Sequence, residues 1–152
     1  MIILWCKKHA YYGGYMAMAG LTQYPELFAA GIEEDGPINL YHDALRNKAA
    51  GYELAECGIP VDEKMLKELS PYYKVDRIKA PFMIQQGERD FAIADARDLV
   101  RQLKGGQQVP FEYLEFADEG HVLYKLQNKI NAGVAKVEFL VKYLKPNSLR
   151  AQ

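Results

Sequence analysis

Four short apolar runs along the chain predict the strands of a sheet. They cover residues 2–6, 27–32, 82–86 and 111–116. The first run is continuous, which is typical of a strand buried on both faces of a parallel sheet. The last run alternates apolar and polar residues, so it predicts a strand at the edge of the sheet with one wetter face.

Helical signals lie between and after these runs. Gly13 opens a helix of small residues that ends before Pro25, a second helix starts at Pro60, and Asp95 caps a third. The last helix, over residues 126–144, repeats apolar residues at helical spacing, namely Leu126, Ile130, Val134, Val137, Leu140 or Val141, and Leu144.

Strands that alternate with helices indicate the fold class. The pattern predicts a three-layer α/β/α domain with a mostly parallel sheet of about four strands. A chain of 152 residues has the length of one domain, and neither an internal repeat nor a linker divides it. We therefore expect residues 1–152 to form a single α/β domain.

Charge and composition exclude several classes of partner. A net charge of −1 gives no basic field for nucleic acid or an anionic membrane surface. The apolar residues 1–6 are far fewer than a signal peptide or a membrane span needs, so neither export nor insertion is expected. Two cysteines, Cys6 and Cys57, make no disulfide framework and favour a reduced, cytoplasmic protein. His9 and His42 lack metal-ligand spacing, and no metal or cofactor is expected.

An acid and a histidine each follow one of the predicted strands. Asp90 comes after the run at 82–86, and His121 comes after the run at 111–116. The ends of parallel strands meet at one edge of an open α/β sheet, where such proteins carry out their chemistry. This placement is that of a charge-relay pair and predicts that the two side chains lie together.

Three segments, in this order, resemble the catalytic domain of prolyl oligopeptidase-type serine peptidases, which are α/β-hydrolases. They read YGGYM with YPELFAAG, SPYYKVDRIKAP leading to GERD, and FADEGH. The resemblance runs from about Trp5 to Leu144, and its order of elbow, acid and histidine is that of the fold. It implies hydrolysis of peptide or ester bonds with Asp90 and His121 as the relay pair. An inherited structural pair without catalytic use is the alternative.

The resemblance breaks at the nucleophile. Residues 9–13, HAYYG, stand where the family has Gly-x-Ser-x-Gly, so Tyr11 takes the serine's position and His9 that of the first glycine. The tyrosine hydroxyl lies farther from the backbone than a serine hydroxyl. The backbone N–H of Tyr12, which the resemblance implies as an oxyanion donor, would therefore be misplaced. Tyr11 has an ordinary pKa of about 10 and would need a base such as His121.

The resemblance also implies a truncated α/β-hydrolase fold, because the family has about eight strands and the four predicted here match its last four. The strand at residues 2–6 would then be an exposed edge, and a homo-oligomer that covers this edge or the helix beside it is expected. Three interpretations stay open: a hydrolase of peptides or esters, a non-catalytic oligomerising or binding module, and a folded remnant without a selected function. The absent serine favours the last two.

Two further candidates have simple structural interpretations. The acidic run at residues 33–35 predicts a solvated loop at a strand end, although it would also suit recognition of a substrate's N-terminal amine. Cys6 lies inside an apolar run, so a buried and inert thiol is expected there rather than a substitute nucleophile.

Overall fold

The sheet has four parallel strands in chain order, β1 to β4, and helices connect them. The computed structural model describes residues 2–5, 10–46, 62–106 and 109–144. Its elements are β1 (Ile2–Trp5), α1 (Ala10–Gln23), β2 (Phe28–Glu34), α2 (Leu40–Arg46), α3 (Glu63–Leu69), a 3₁₀ helix (Pro71–Arg77), β3 (Phe82–Gly87), α4 (Ile93–Gly106), β4 (Phe111–Phe116) and α5 (Leu126–Leu144).

Parallel pairing aligns the carboxyl ends of the strands along one edge. The register of β3 and β4 runs from Phe82 opposite Phe111 to Gly87 opposite Phe116. All of β3 is buried, whereas most of β4 is half-buried, as its alternation predicts for a strand at the sheet edge. The predicted α/β class with a parallel sheet of about four strands is confirmed.

Helices cover both faces of this sheet, which gives the three predicted layers. On one face α1 and α4 pack against β3 through Met18, Leu21, Ile84, Leu99 and Leu103. On the other face Phe139 and Ala132 of α5 are buried, and Phe139 packs against Ala30, Ile32 and Met83. No helix in the described ranges is long and apolar enough to cross a membrane.

Two helix starts differ from the sequence-based prediction. The first helix begins at Ala10, three residues before the predicted start at Gly13, so the predicted start is wrong. Asp95 does not cap α4, which starts at Ile93. Its carboxylate instead accepts hydrogen bonds from His42 at 2.6 Å and from Arg46 at 2.7 Å. Paired charges across two helices outweigh the local capping preference. The predicted start at Pro60 lies outside the described residues.

Helix α5 is apolar on two opposite faces. Its sheet-facing side carries Ala132 and Phe139, which are 2% and 1% exposed. Most of the periodic apolar residues that the sequence analysis identified lie on the outward side instead, whereas Leu140 and Leu144 pack against the buried cluster on the sheet. Five of them are between 48% and 72% exposed: Leu126, Ile130, Val134, Val137 and Val141. We call these five residues the outer stripe.

Candidate active site

The turn after β3 and the turn after β4 are bound to each other by backbone hydrogen bonds. The N–H of Glu88 donates to the carbonyl of Phe116 at 3.0 Å, and the N–H of Arg89 donates to the carbonyl of Glu119 at 2.8 Å. A Cβ on Gly87 would lie 2.1 Å from the carbonyl oxygen of Gly120, so only glycine permits this crossing. These contacts hold Asp90 and His121 in fixed relative positions.

Asp90 and His121 form a hydrogen-bonded pair. The Nδ1 atom of His121 lies 2.6 Å from Oδ2 of Asp90, whose side chain is fully buried, whereas the imidazole is 31% exposed. The second carboxylate oxygen accepts the N–H of Ala92 at 2.6 Å, and the ring of Phe91 lies 5.0 Å from the imidazole. The hydrogen bond that His121 donates to the Asp90 carboxylate raises the pKa of His121 above its ordinary value. The predicted proximity of the two side chains is confirmed.

Glu119 anchors the loop that carries His121, and sequence reasoning did not identify it. Its buried carboxylate accepts the N–H groups of Tyr124 at 2.8 Å and Lys125 at 3.0 Å, and the amide of Asn128 at 2.7 Å. These hydrogen bonds lower the pKa of Glu119. The sequence shows only that an acidic residue lies two positions before the histidine. It does not show that this carboxylate accepts three hydrogen bonds from the segment that follows.

The nucleophile region is only partly described. Tyr11 is the second residue of α1, the helix that follows β1 in chain order. Its side chain, His9 and Cys6 lie outside the described part, as does any predicted elbow geometry. Tyr12 is in the first turn of α1, where backbone N–H groups have no intrahelical acceptor, and its ring packs edge-on against Tyr15 at 5.4 Å.

The acidic run at the end of β2, residues 33–35, is not the solvated loop that its sequence predicts. Glu33 is 1% exposed and Asp35 is 7% exposed. The turn is buried because Gly14 and Gly36 let α1 pack closely onto it. A Cβ on Gly36 would lie 2.4 Å from the backbone N of Tyr15, and a Cβ on Gly14 would lie 2.6 Å from the carbonyl oxygen of Glu34. The N–H of Gly36 donates to Glu33, and the N–H of Gly87 donates to Asp35 Oδ1 at 3.1 Å.

Burial changes the protonation of both acids. It raises the pKa of Asp35 to about 7 and the pKa of Glu33 well above its ordinary value. The nearby charge of Asp90 acts in the same direction on both carboxyl groups. Among the described residues, no group of three or more histidine, cysteine or acidic side chains is arranged to hold a metal ion.

Comparison with protein families gives one match that covers most of the chain. The model of the prolyl oligopeptidase family matches residues 10–147. Dipeptidyl aminopeptidase BIII of Pseudoxanthomonas mexicana is 34% identical over 128 residues, which are 77% of this chain and 18% of that protein. Dipeptidyl peptidase family member 6 of Caenorhabditis elegans is 32% identical over 130 residues, or 78% and 17% of the two chains.

Solved structures share the fold at lower identity. A puromycin-hydrolyzing peptidase of Mycobacterium tuberculosis superposes with a TM-score of 0.79 at 24% identity, over 88% of this chain and 21% of its own. The acylaminoacyl peptidase of Pyrococcus horikoshii gives a TM-score of 0.76 at 20% identity, over 93% and 24%. The chain thus spans about a fifth of the length of the relatives it matches.

Proposed function

The chain belongs to the prolyl oligopeptidase family, and from that premise we propose that it is a peptidase-fold domain that retains a relay pair but does not hydrolyse peptide or ester bonds on its own. The observation that carries the proposal is a contrast. Asp90 and His121 have relay geometry at 2.6 Å, whereas a tyrosine stands at the position that the resemblance gives to the nucleophilic serine. The location that goes with this proposal is the cytoplasm, because two cysteines provide no disulfide framework.

The pair has the properties that a serine hydrolase requires of its histidine and acid. A fully buried carboxylate fixes one ring nitrogen of His121 and favours the imidazolium. In such hydrolases the other ring nitrogen takes the proton of the nucleophile. Any peptide or ester substrate of this chain would be attacked next to His121, at the carboxyl ends of β3 and β4.

The proposed loss of activity follows from the nucleophile. An unpaired tyrosine hydroxyl is almost fully protonated near neutral pH, since its ordinary pKa is about 10. An oxyanion formed on Tyr11 would also lie too far out for the first N–H groups of α1, among them that of Tyr12. In serine proteases, removal of the nucleophile leaves only about 10³–10⁴-fold catalysis over water, and this remainder depends on an intact oxyanion hole.

Turnover of p-nitrophenyl acetate and aminoacyl-p-nitroanilides by the purified parent, His121→Ala and Tyr11→Phe proteins tests the proposal. We expect all three proteins to give the same background rate. Turnover in the parent that both substitutions abolish would show an active hydrolase with Tyr11 as nucleophile, and the proposal would be wrong. Loss with His121→Ala alone would place the nucleophile elsewhere and would equally contradict it.

The outer stripe of α5 favours a second candidate function, self-association as a binding module. We propose that its occupant is the same stripe of a second copy, packed antiparallel. Leu126 and Val141 are equally distant from the point between residues 133 and 134, as are Ile130 and Val137. A two-fold pairing therefore sets large apolar side chains opposite each other. At the centre Val134 meets Gly133, beside which there is open space.

The area of this face sets the expected strength of the dimer. The sixteen residues from Leu126 to Val141 extend about 24 Å, so the stripe is much smaller than the roughly 800 Å² per partner of a standard interface. A weak dimer is the consequence unless other surfaces add to it. The edge strand predicted at residues 2–6 is such a surface. Its described part, β1, pairs with β2 on one side, and on its other side no described strand lies.

Sedimentation velocity over a range of protein concentrations tests the self-association. The parent is expected to show a concentration-dependent dimer that Ile130→Lys with Val137→Lys abolishes. Asn131→Lys, an exposed polar position on the same helix, is the matched control and should dimerise like the parent. A parent that stays monomeric throughout, or a dimer that the double substitution leaves intact, would refute this pairing.

A further inference from the structure

Asp35, the buried residue directly after β2, has a backbone conformation that side chains rarely adopt. Its φ angle is 52°, in the left-handed region, which aspartate and asparagine tolerate best among residues other than glycine. Such a conformation persists only where the surrounding contacts hold it. The contacts of Asp35 therefore indicate what this residue does.

The side chain of Asp35 continues the hydrogen-bond ladder between β2 and β3. Its backbone N–H donates to the carbonyl of Gln85 at 3.1 Å, which is the regular next bond of this parallel pair. The regular acceptor for the N–H of Gly87 would then be the main-chain carbonyl of Asp35. Instead, Oδ1 of Asp35 accepts that N–H at 3.1 Å. The carboxylate therefore replaces a main-chain acceptor at the last bond of the ladder.

Gly87 connects this last bond to the relay pair. Its carbonyl accepts the N–H of Asp90 at 3.1 Å, and a Cβ on it would meet the carbonyl oxygen of Gly120, the residue before His121. The carboxylate of Asp35 thus holds the one residue that contacts both turns of the pair. An ionised acceptor binds an N–H more strongly than a neutral one, so the charge of Asp35 affects how firmly Gly87 is held.

Asp35 also acts on the pair through its charge. The pKa of His121 is raised mainly by its hydrogen bond to Asp90, and the charges of Asp90, Asp35 and Asp43 act in the same direction. Burial raises the pKa of Asp35 to about 7, so this residue gains its charge near neutral pH, where an imidazole also titrates. The charged groups around Asp35 in the described structure come from three sides: Glu33 and Glu34 of β2, Asp90 and His121 of the two turns, and Lys129 and Lys136 of α5.

We propose that Asp35 is a positioning residue of the relay pair: its carboxylate fixes Gly87 between the two turns, and its negative charge holds the proton on His121. When Asp35 loses its proton, the proton on His121 becomes harder to remove. The two groups therefore titrate as a coupled pair rather than independently. This role concerns the geometry and protonation of the pair, so it holds whether or not the chain hydrolyses peptides.

An NMR titration of the His121 imidazole on the full chain tests the effect of the charge. The resonance of its Cε1–H is the one that His121→Gln removes. We expect a titration curve in the parent that is broader than that of a single site, and a single-site curve with a lower midpoint in Asp35→Asn.

The control for this titration is Asp118→Asn. Asp118 also has a positive φ and lies three residues before His121, but its side chain is 56% exposed and solvent screens its charge. This variant should titrate like the parent. Asparagine at position 35 keeps an acceptor for Gly87 and loses only the charge. An unchanged midpoint in Asp35→Asn, or an equal shift in Asp118→Asn, would therefore overturn the proposal.

Hydrogen exchange at the amide of Gly87 tests the positioning separately. Asp35→Gly adopts the left-handed φ without strain but removes the acceptor. Relative to the amide of Ile84 in the middle of β3, Gly87 should exchange at least about tenfold faster in Asp35→Gly than in Asp35→Asn. Equal relative rates in the two variants would refute the positioning role. If Asp35→Gly fails to fold, the midpoint in Asp35→Asn still decides the proposal.

Discussion

Replacing His121 by glutamine tests whether the hydrogen bond between Asp90 and His121 stabilises the fold as a buried pair should. Among the described residues, the substitution leaves the fully buried Asp90 with the N–H of Ala92 as its hydrogen-bond donor. Loss of a hydrogen bond to a charged, buried group costs about 1.5–3 kcal/mol, so we expect a loss of about 2 kcal/mol in the free energy of unfolding. For a domain of this size the melting temperature would fall by about 4–8 °C.

The control lies in the same two turns. Arg89 and Asp118 form an ion pair at 2.5 Å, but their side chains are 69% and 56% exposed. Solvent screening reduces such a pair to about 0–1 kcal/mol, so Arg89→Gln should have little effect. Urea denaturation of the parent and both variants gives the two differences directly, and a double-mutant cycle of His121→Gln with Asp90→Asn isolates the coupling.

The dependence of this coupling on pH has a definite sign. The pKa of His121 is raised in the folded state, so its contribution to stability is complete below the unfolded pKa of about 6.5. The contribution is lost as the pH rises through the folded pKa. The coupling at about pH 6 should therefore exceed that at about pH 9. A loss in His121→Gln no larger than that in Arg89→Gln, or a coupling that grows with pH, would refute the reasoning.

Three other predictions concern stability and use the same denaturation assay. Burial raises the pKa of Asp35 to about 7, so the parent loses stability as the pH rises from the unfolded pKa of about 4 through 7. The change in the free energy of unfolding caused by Asp35→Asn should therefore be more favourable at pH 8 than at pH 4 by a few kcal/mol. An equal change at both pH values would contradict this. Gly14→Ala should lower the free energy of unfolding by about 1–3 kcal/mol, because its Cβ would lie 2.6 Å from the carbonyl oxygen of Glu34. Gly133→Ala faces open space within a helix and should raise it by up to about 1 kcal/mol. Similar effects of the two substitutions would show that α1 does not pack on the turn after β2 as described. Phe139→Ala should lower the free energy of unfolding by about 3–5 kcal/mol and Val137→Ala by under about 1 kcal/mol, because the two side chains lie on opposite faces of α5. The reverse order would mean that the outer stripe packs against the sheet.

The strands and the relay pair were predictable because their signals are local. Continuous apolar runs identify strands buried on both faces, and in a parallel sheet the residues after consecutive strands meet at one edge. Asp90 and His121 needed only these two facts to be placed together. The family motifs supported the same order of elements, and the match over residues 10–147 agrees with it.

The remaining features depend on contacts between distant segments. The burial of Glu33 and Asp35 results from the close approach of α1 to the turn at Gly36, and three consecutive acids give no sign of it. Asp95 resembles a helix cap in sequence, but its carboxylate forms hydrogen bonds with His42 and Arg46 of α2. The apolar periodicity of α5 identified the helix but not the face that packs on the sheet, because the buried residues Ala132 and Phe139 are not part of that repeat.

Intact-mass analysis after treatment with a fluorophosphonate tests the absence of a working nucleophile most directly. A functional nucleophile displaces fluoride and retains the phosphonyl group, which adds a fixed mass to the protein. We predict no adduct on the parent and none on Tyr11→Ser, because His9 at the first glycine position of the elbow disfavours its conformation. A stoichiometric adduct on the parent that disappears in both Tyr11→Phe and His121→Ala would contradict the account and establish an active hydrolase.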